Sequence, residues 1–226
     1  MILMLHRRLR AALLIFPDSK TMDSLEKLIE LFRQFPGIGP RQARRFAYFL
    51  LTRDISYVRN LTELINEVKR QIRECASCHR FFTQNSKAKV SDRCETCLDD
   101  SREQNVLMVI ARDVDFEVIE KSHTYNGLYF ILGGTLKILE ENPERVIRIK
   151  NLELRLKKDE NISELIFALN ANPEGEHTAE YVANALSPIA KEKNIKISYL
   201  GRGLSTGTEL EYIDPDTLKS ALKNRT

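Results

Sequence analysis

The chain's four cysteines all fall in one short window, as Cys75-Ala-Ser-Cys78 and Cys94-Glu-Thr-Cys97, with fifteen residues between the pairs. A C-x2-C turn aims two thiolates at one point, and two such turns can close a tetrahedral four-sulfur site of the kind that holds Zn²⁺. The intervening segment is polar and carries Arg80, Lys87, Lys89 and Arg93. It has no core of its own, so metal binding has to supply its folding free energy. Two disulfides or four unrelated thiols are the alternatives, but disulfides require an oxidising compartment, and no convincing export signal accompanies them. Four thiolate ligands leave no open position for water, so the expected ion, one Zn²⁺ per chain, is structural and not catalytic. His79 directly follows Cys78 and could compete as a ligand, although a loop histidine is the plainer reading.

At 226 residues and 42% apolar, the chain can form one large or two small domains with a real core. Its longest apolar runs, such as Ala11–Phe16, fall short of a membrane span. The net charge of +3 invites a nucleic-acid reading, but residues 1–21 carry four basic residues against one acidic, which leaves 31 of each for residues 22–226. A nucleic-acid surface must therefore be a local cluster. Residues 1–21 read as foreign to the rest: they are basic, then apolar, and Pro17-Asp-Ser-Lys20 is a poor cleavage site. A capping-box spacing follows at Asp23 and Glu26. The expectation is that the functional protein begins near Met22, with residues 1–21 a non-native or over-long start.

Apolar spacing predicts helices over Ser24–Phe35, Pro40–Leu51 and Ile55–Glu74. Beyond the cysteines the texture changes. Strands are predicted at Val106–Ile110, Gly127–Leu132, Glu164–Leu169 and Ile195–Leu200. Helices are predicted at 113–122, Ile149–Lys158 and Thr178–Lys191, the last ended early by Pro188, and a short tail helix spans Asp214–Lys223. Alternating strands and helices predict a mostly parallel α/β sheet, which makes the whole an α+β multidomain chain.

Pro36-Gly37-Ile38-Gly39-Pro40 between two helices is a helix-hairpin-helix signature. The glycines let the backbone approach closely, and the next helix offers free N–H groups to a phosphate oxygen. Arg41, Arg44 and Arg45 follow at once, and from Leu31 to Arg53 there are five arginines and no acid. Gly37, Gly39, Arg41, Arg44 and Arg45 are thus candidate contacts to a DNA backbone, without sequence reading; a solvated helix corner is the alternative. Acids stand where predicted strands end: Asp113 and Asp115, then Glu174 and Glu176. Such carboxylates either hold Mg²⁺ or cap helices. Gly201–Gly207 is glycine-rich but lacks the spacing of a nucleotide-binding loop, and reads as a demanding connection or subunit contact.

Taken in order, these segments resemble the RecR family of bacterial recombination mediators, from about Met22 to the C-terminus. The resemblance rests on Phe35-Pro-Gly-Ile-Gly-Pro-Arg-Gln-Ala43, the four cysteines, Tyr125-Asn-Gly-Leu-Tyr129, Asn172-Pro-Glu-Gly-Glu176-x-Thr178-Ala179, and Gly203-Leu204 through Leu210-Glu211-Tyr212-x-Asp214. It implies a helix-hairpin-helix region over 22–74, a four-cysteine zinc finger over 75–97, a Toprim domain over 98–200 and an oligomerisation segment over 201–226, with 1–21 outside. It further implies a non-catalytic DNA-repair protein of the bacterial cytoplasm and nucleoid, with no membrane. Such a protein acts with RecO, and in some systems RecF, to help RecA replace single-strand-binding protein on gapped DNA. The family's dimers or ring tetramers encircle duplex or gapped DNA with the hairpin arginines facing it, and Asp115, Glu174 and Glu176 become candidate partner contacts. Two departures stand out. Arg112 falls where the Toprim glutamate belongs, which reverses the local charge. Ser205 and Thr208 stand where proline and glycine are expected. The rival readings are a Toprim-type Mg²⁺-dependent nuclease or primase-like enzyme using Asp113, Asp115, Glu174 and Glu176, and a zinc-ribbon adaptor without DNA contact.

Overall fold

Asp23 starts the first helix by accepting the Glu26 N–H at 2.8 Å, the capping role its spacing predicts. The structure is a computed structural model that describes residues 23–83, 91–201, 209–213 and 215–223. The expectations for residues 1–21, Lys87, Lys89, Ser205 and Thr208 lie outside the described residues. Contacts divide the chain into two units, one ending at Val68 and the other beginning at Lys69.

In the first unit, α1 (Ser24–Arg33) and α2 (Pro40–Leu51) pack against each other and bury Ile29, Ala43 and Ala47, with Leu25, Leu28, Phe32 and Ile38 around them. The helix α1 stops two residues short of Phe35 because the hairpin turn takes over: Phe35 N–H donates to Phe32 O at 3.1 Å and Ile38 N–H to Phe35 O at 3.0 Å. A third helix, α3 (Ile55–Gln71), starts on Asp54, whose carboxylate accepts the Tyr57 N–H at 2.9 Å.

The sequence period carries that helix to Glu74, but Ile72–Glu74 is instead a strand, β1, antiparallel to β2 (Phe81–Thr83), with Ile72 opposite Thr83 and Glu74 opposite Phe81. The reason is tertiary. Cys75 N–H donates to Arg80 O at 2.8 Å and closes a hairpin around the first cysteine pair. A short helix, α4 (Glu95–Leu98), carries the second pair.

The main sheet is fully parallel. It contains β3 (Glu103–Ile110), β4 (Gly127–Ile131), β5 (Glu164–Ala168) and β6 (Lys196–Tyr199), in the order β4-β3-β5-β6. The second half of β3, Leu107–Ile110, is buried on both faces, so its side chains alternate between two cores. Met108 and Ile110 meet Phe116 of α5 (Asp113–Ser122), together with Tyr129 and Ile131. Leu107 and Val109 face a larger core. It includes Leu152 and Leu156, which lie beyond the short α6 (Pro143–Val146) on α7 (Ile149–Lys158), and Val182 and Leu186 of α8 (Pro173–Glu192). After β6, a 3-10 turn at Leu210–Tyr212 leads to α9 (Pro215–Lys223).

Two expectations about α8 fail. The helix begins at Pro173 and not Thr178, because Asn172 caps it by accepting the Gly175 N–H at 2.8 Å and Pro173 suits the first turn. It also runs through Pro188 to Glu192. Pro188 and Asn184 both lie on the exposed side, so the carbonyl left without a helical partner can be hydrated, while buried Leu186, Ile189 and Ala190 hold the turn in place.

The Tyr125–Tyr129 motif is structural in this fold. Tyr125 donates its hydroxyl to Leu128 O at 2.8 Å, and Tyr129 donates to Glu120 Oε1 at 2.7 Å. Arg102 grips Glu120 with both terminal nitrogens, at 3.0 and 2.6 Å. Burial pushes the Glu120 carboxyl up, but the Arg102 and Tyr129 hydrogen bonds outweigh it and hold the group below the usual carboxylate range. A carboxylate whose pKa is depressed by folding stabilises above its unfolded pKa, and that contribution is lost as pH falls through the folded value. Glu120→Gln should therefore cost about 2 kcal/mol at pH 7. The gap from wild type should close in urea titrations run below the carboxylate range. A pH-independent difference would rule out the ionic origin.

Candidate metal centre and nucleic-acid surface

The β1–β2 hairpin presents Cys75 and Cys78, and the start of α4 presents Cys94 and Cys97. All four are free thiols, buried, with sulfurs within 4.8 Å of one another. Cys78 Sγ lies 3.5 Å from Cys94 Sγ, close to the ~3.8 Å edge of a tetrahedron built on Zn–S bonds of about 2.3 Å. The donor set is all sulfur, and the crowding perturbs it strongly. The neighbouring Cys78 thiol drives Cys75 down, while Cys75 drives Cys78 up. The residues fit a closed tetrahedral ion. His79 is not among the converging groups: its Nδ1 sits 2.6 Å from Glu74 Oε1 and its ring packs on Phe130 at 5.2 Å.

The metal module is tied to the sheet by main-chain contacts. Ile131 N–H donates to Cys78 O at 2.9 Å, Arg155 donates to Ser77 O at 2.7 Å, and Asp113 Oδ1 accepts the Phe81 N–H at 2.8 Å. This last contact gives Asp113 a structural task. Asp115 likewise accepts the Arg112 N–H at 2.8 Å at the start of α5. Of the two sequence alternatives for these acids, the structure shows helix capping and loop tethering. Among the described residues, the four thiols are the one set of three or more ligand groups that meets at a point. Among the described residues, no such set includes Asp113, Asp115, Glu174 or Glu176. Glu174 and Glu176 lie exposed in the first turn of α8, at the carboxyl end of β5. Glu176 borders a cleft of about 710 Å³ with Glu180 and Tyr199. Arg112 is exposed at the cap of α5.

At the hairpin, Gly37 adopts φ +75°, a left-handed conformation that favours glycine. Gly39 is the cap residue of α2 and carries no side chain over the helix start. Arg41, Arg44 and Arg45 are all exposed. Arg44 reaches Glu26 at 3.8 Å, and Arg45 reaches Gln42 at 3.4 Å. At about 100° per residue, Arg41 and Arg45 project from the side of α2 opposite its buried Ala43 and Ala47, and Arg44 lies at its flank toward α1. Helix start, arginines and open surface thus coincide, an arrangement suited to phosphates. Sequence reading passed over Tyr48 and Phe49 on the same side, 52% and 42% exposed. Their spacing of four from Arg44 and Arg45 was the available signal.

Family models match three successive stretches of the chain: RecR, helix-hairpin-helix over residues 25–69; Toprim domain over residues 105–201; and RecR, C-terminal over residues 203–226. Among curated proteins, the chain is 38% identical over 204 residues to the recombination protein RecR of Staphylococcus aureus strains JH9, Newman and JH1. The match covers 90% of this chain and 97% of each relative.

Proposed function

The chain belongs to the RecR family of recombination proteins, and from that premise we propose that it is a non-catalytic, zinc-stabilised DNA clamp that acts as a mediator of DNA repair. It binds duplex or gapped DNA without reading sequence. With RecO, and with RecF where that protein takes part, it helps load RecA on gapped DNA coated by single-strand-binding protein. The division of labour is a hairpin region over 22–74 for DNA, a zinc finger over 75–97, a Toprim domain over 98–200 that docks RecO, and a segment over 201–226 for subunit packing. The work is done in the bacterial cytoplasm, at the nucleoid.

The observation that carries this reading is α2 itself, with its small buried residues on one side, Arg41 and Arg45 exposed on the other and Arg44 exposed at the flank. The Arg41→Ala/Arg45→Ala variant should lower the salt dependence of DNA binding by about 2 in the log–log slope, since each lost phosphate contact removes roughly 0.9. Metal content and fold should not change. Unchanged affinity and slope in that variant would end the assignment.

For RecO, the candidate contacts are Asp115 at the start of α5 and Glu174 and Glu176, which are exposed in the first turn of α8. A dimer or ring tetramer is favoured by α3, which buries no residue and exposes Leu64, Ile65 and Val68. A second copy would cover that apolar stripe. The rival enzyme needs its acids to converge on a cation, and Arg112 adds charge of the wrong sign nearby. Mg²⁺-dependent plasmid cleavage that is lost in Glu176→Gln would reverse the ranking.

A further inference from the structure

The side of α2 that carries the arginines also carries an aromatic surface that the hydrophobic core does not explain. At about 100° per residue, Arg41, Arg44, Arg45, Tyr48 and Phe49 fall within a sector of roughly 140°. Ala43 and Ala47, fully buried, fall on the other side. The two rings lie one turn beyond Arg44 and Arg45 and remain 52% and 42% exposed. Phe49 is also braced. The Arg53 guanidinium stands 4.2 Å from its ring centroid, and Tyr57 meets it edge-on with centroids 6.1 Å apart. Exposed rings on a solvated face incur a hydration cost, and the bracing holds one of them in place.

Basic side chains in line with exposed aromatic rings form the standard platform for single-stranded nucleic acid. The arginines follow the phosphates, and the rings stack on bases that a duplex keeps hidden. Continuity in charge favours this occupant over an apolar protein partner, because the stretch from Leu31 to Arg53 contains five arginines and no acid. We infer that Tyr48 and Phe49 form a base-stacking subsite for single-stranded DNA, such as the exposed strand of a gap, continuous with the phosphate-binding arginines of the hairpin. Arg53 and Tyr57 position Phe49 from behind. The inference rests on the DNA-binding reading above and adds to it a preference for unpaired bases.

The test is the full chain with Tyr48→Leu/Phe49→Leu, measured against an oligo-dT single strand, a gapped duplex and a fully paired duplex of equal length. Arg41→Ala/Arg45→Ala is measured in parallel, and the mass of each protein in solution is recorded. The expected result is a loss of about tenfold on the single strand and the gap, less than twofold on the duplex, and an unchanged oligomer. A 5-iodouracil-substituted single strand should photocrosslink to the peptide containing Tyr48 and Phe49. Equal loss on all three DNAs, no loss on any, crosslinks confined to other peptides, or a changed oligomer would each overturn the subsite; the last would make the rings a subunit contact. If instead the arginine variant binds every DNA as wild type does, the underlying phosphate reading fails, whatever the aromatic variant does.

Discussion

Removal of the metal should unfold the cysteine module and leave the parallel sheet standing. One equivalent of Zn²⁺ per chain is expected in the purified protein, and Cys94→Ser should reduce it to near zero. The two β strands of the module are only three residues each. Its buried cluster consists of the four cysteines with Phe82 packed beside them, a group separate from the large core of the sheet. Such a module has almost no hydrophobic stabilisation of its own, whereas structural Zn²⁺ in comparable small modules contributes on the order of 10–16 kcal/mol. Hydrogen exchange after chelation should therefore show Ile72–Glu74, Phe81–Thr83 and Glu95–Leu98 at the rate of unfolded chain, while β3 and β5 stay protected. The docking bonds from Ile131 N–H to Cys78 O and from Arg155 to Ser77 O should be lost with the module. Protection of the module that survives complete metal removal would refute a metal-dependent fold, and a different metal at full occupancy would refute zinc.

Gly175→Ala should be strongly destabilising, with the closest backbone obstacle of the glycines among the described residues. A Cβ built at Gly175 would lie 2.0 Å from Asn170 O and 3.0 Å from its carbonyl carbon. The obstacle is backbone at the carboxyl end of β5, which cannot turn aside as a flexible side chain can. Relief requires moving the start of α8, and that turn is pinned. Asn172 accepts the Gly175 N–H at 2.8 Å, and Thr178, fully buried, accepts the Leu136 N–H at 2.8 Å while donating its hydroxyl to Glu174 O at 2.6 Å. Overpacking usually costs about 1–3 kcal/mol, and a rigid obstacle places this case at or above the top of that range. For a chain of this length, about 3 kcal/mol lowers the melting temperature by roughly 6–12 °C. Gly39→Ala serves as the control: no atom lies within 4 Å of its added carbon and φ is −82°, so the melting temperature should stay within a few degrees (less than about 1 kcal/mol). Equal melting temperatures for Gly175→Ala and wild type would show that the α8 start shifts freely.

The contrast between these glycines bears on what could be read from sequence. Gly37 and Gly39 are legible, because a turn between two helices followed by arginines has a local meaning. Gly175 is not legible as a packing residue, since its obstacle is a strand-end carbonyl brought close by the fold. The same division separates the acids. Asp23 caps α1 as its spacing predicts, because the cap is three residues away. Asp113 binds Phe81, 32 residues distant, and no local pattern announces that partner. The end of α3 shows a tertiary contact overriding a local one: the apolar period runs on to Glu74, but closure of the hairpin at Cys75 turns the last three residues into β1.

By itself the sequence determined the pairing of four cysteines into one cluster, the hairpin with its arginines, the alternation that makes a parallel sheet, and the family to which the chain belongs. These rest on residue type and short spacing, which a linear chain carries intact. Tertiary structure alone decided that Asp113 tethers Phe81, that the tyrosine motif locks Glu120 and Arg102 into the sheet, and that Ile131 holds the cysteine module through the Cys78 carbonyl. Each of these depends on which distant groups close packing brings within about 3–5 Å, the range over which hydrogen bonds and ring contacts act.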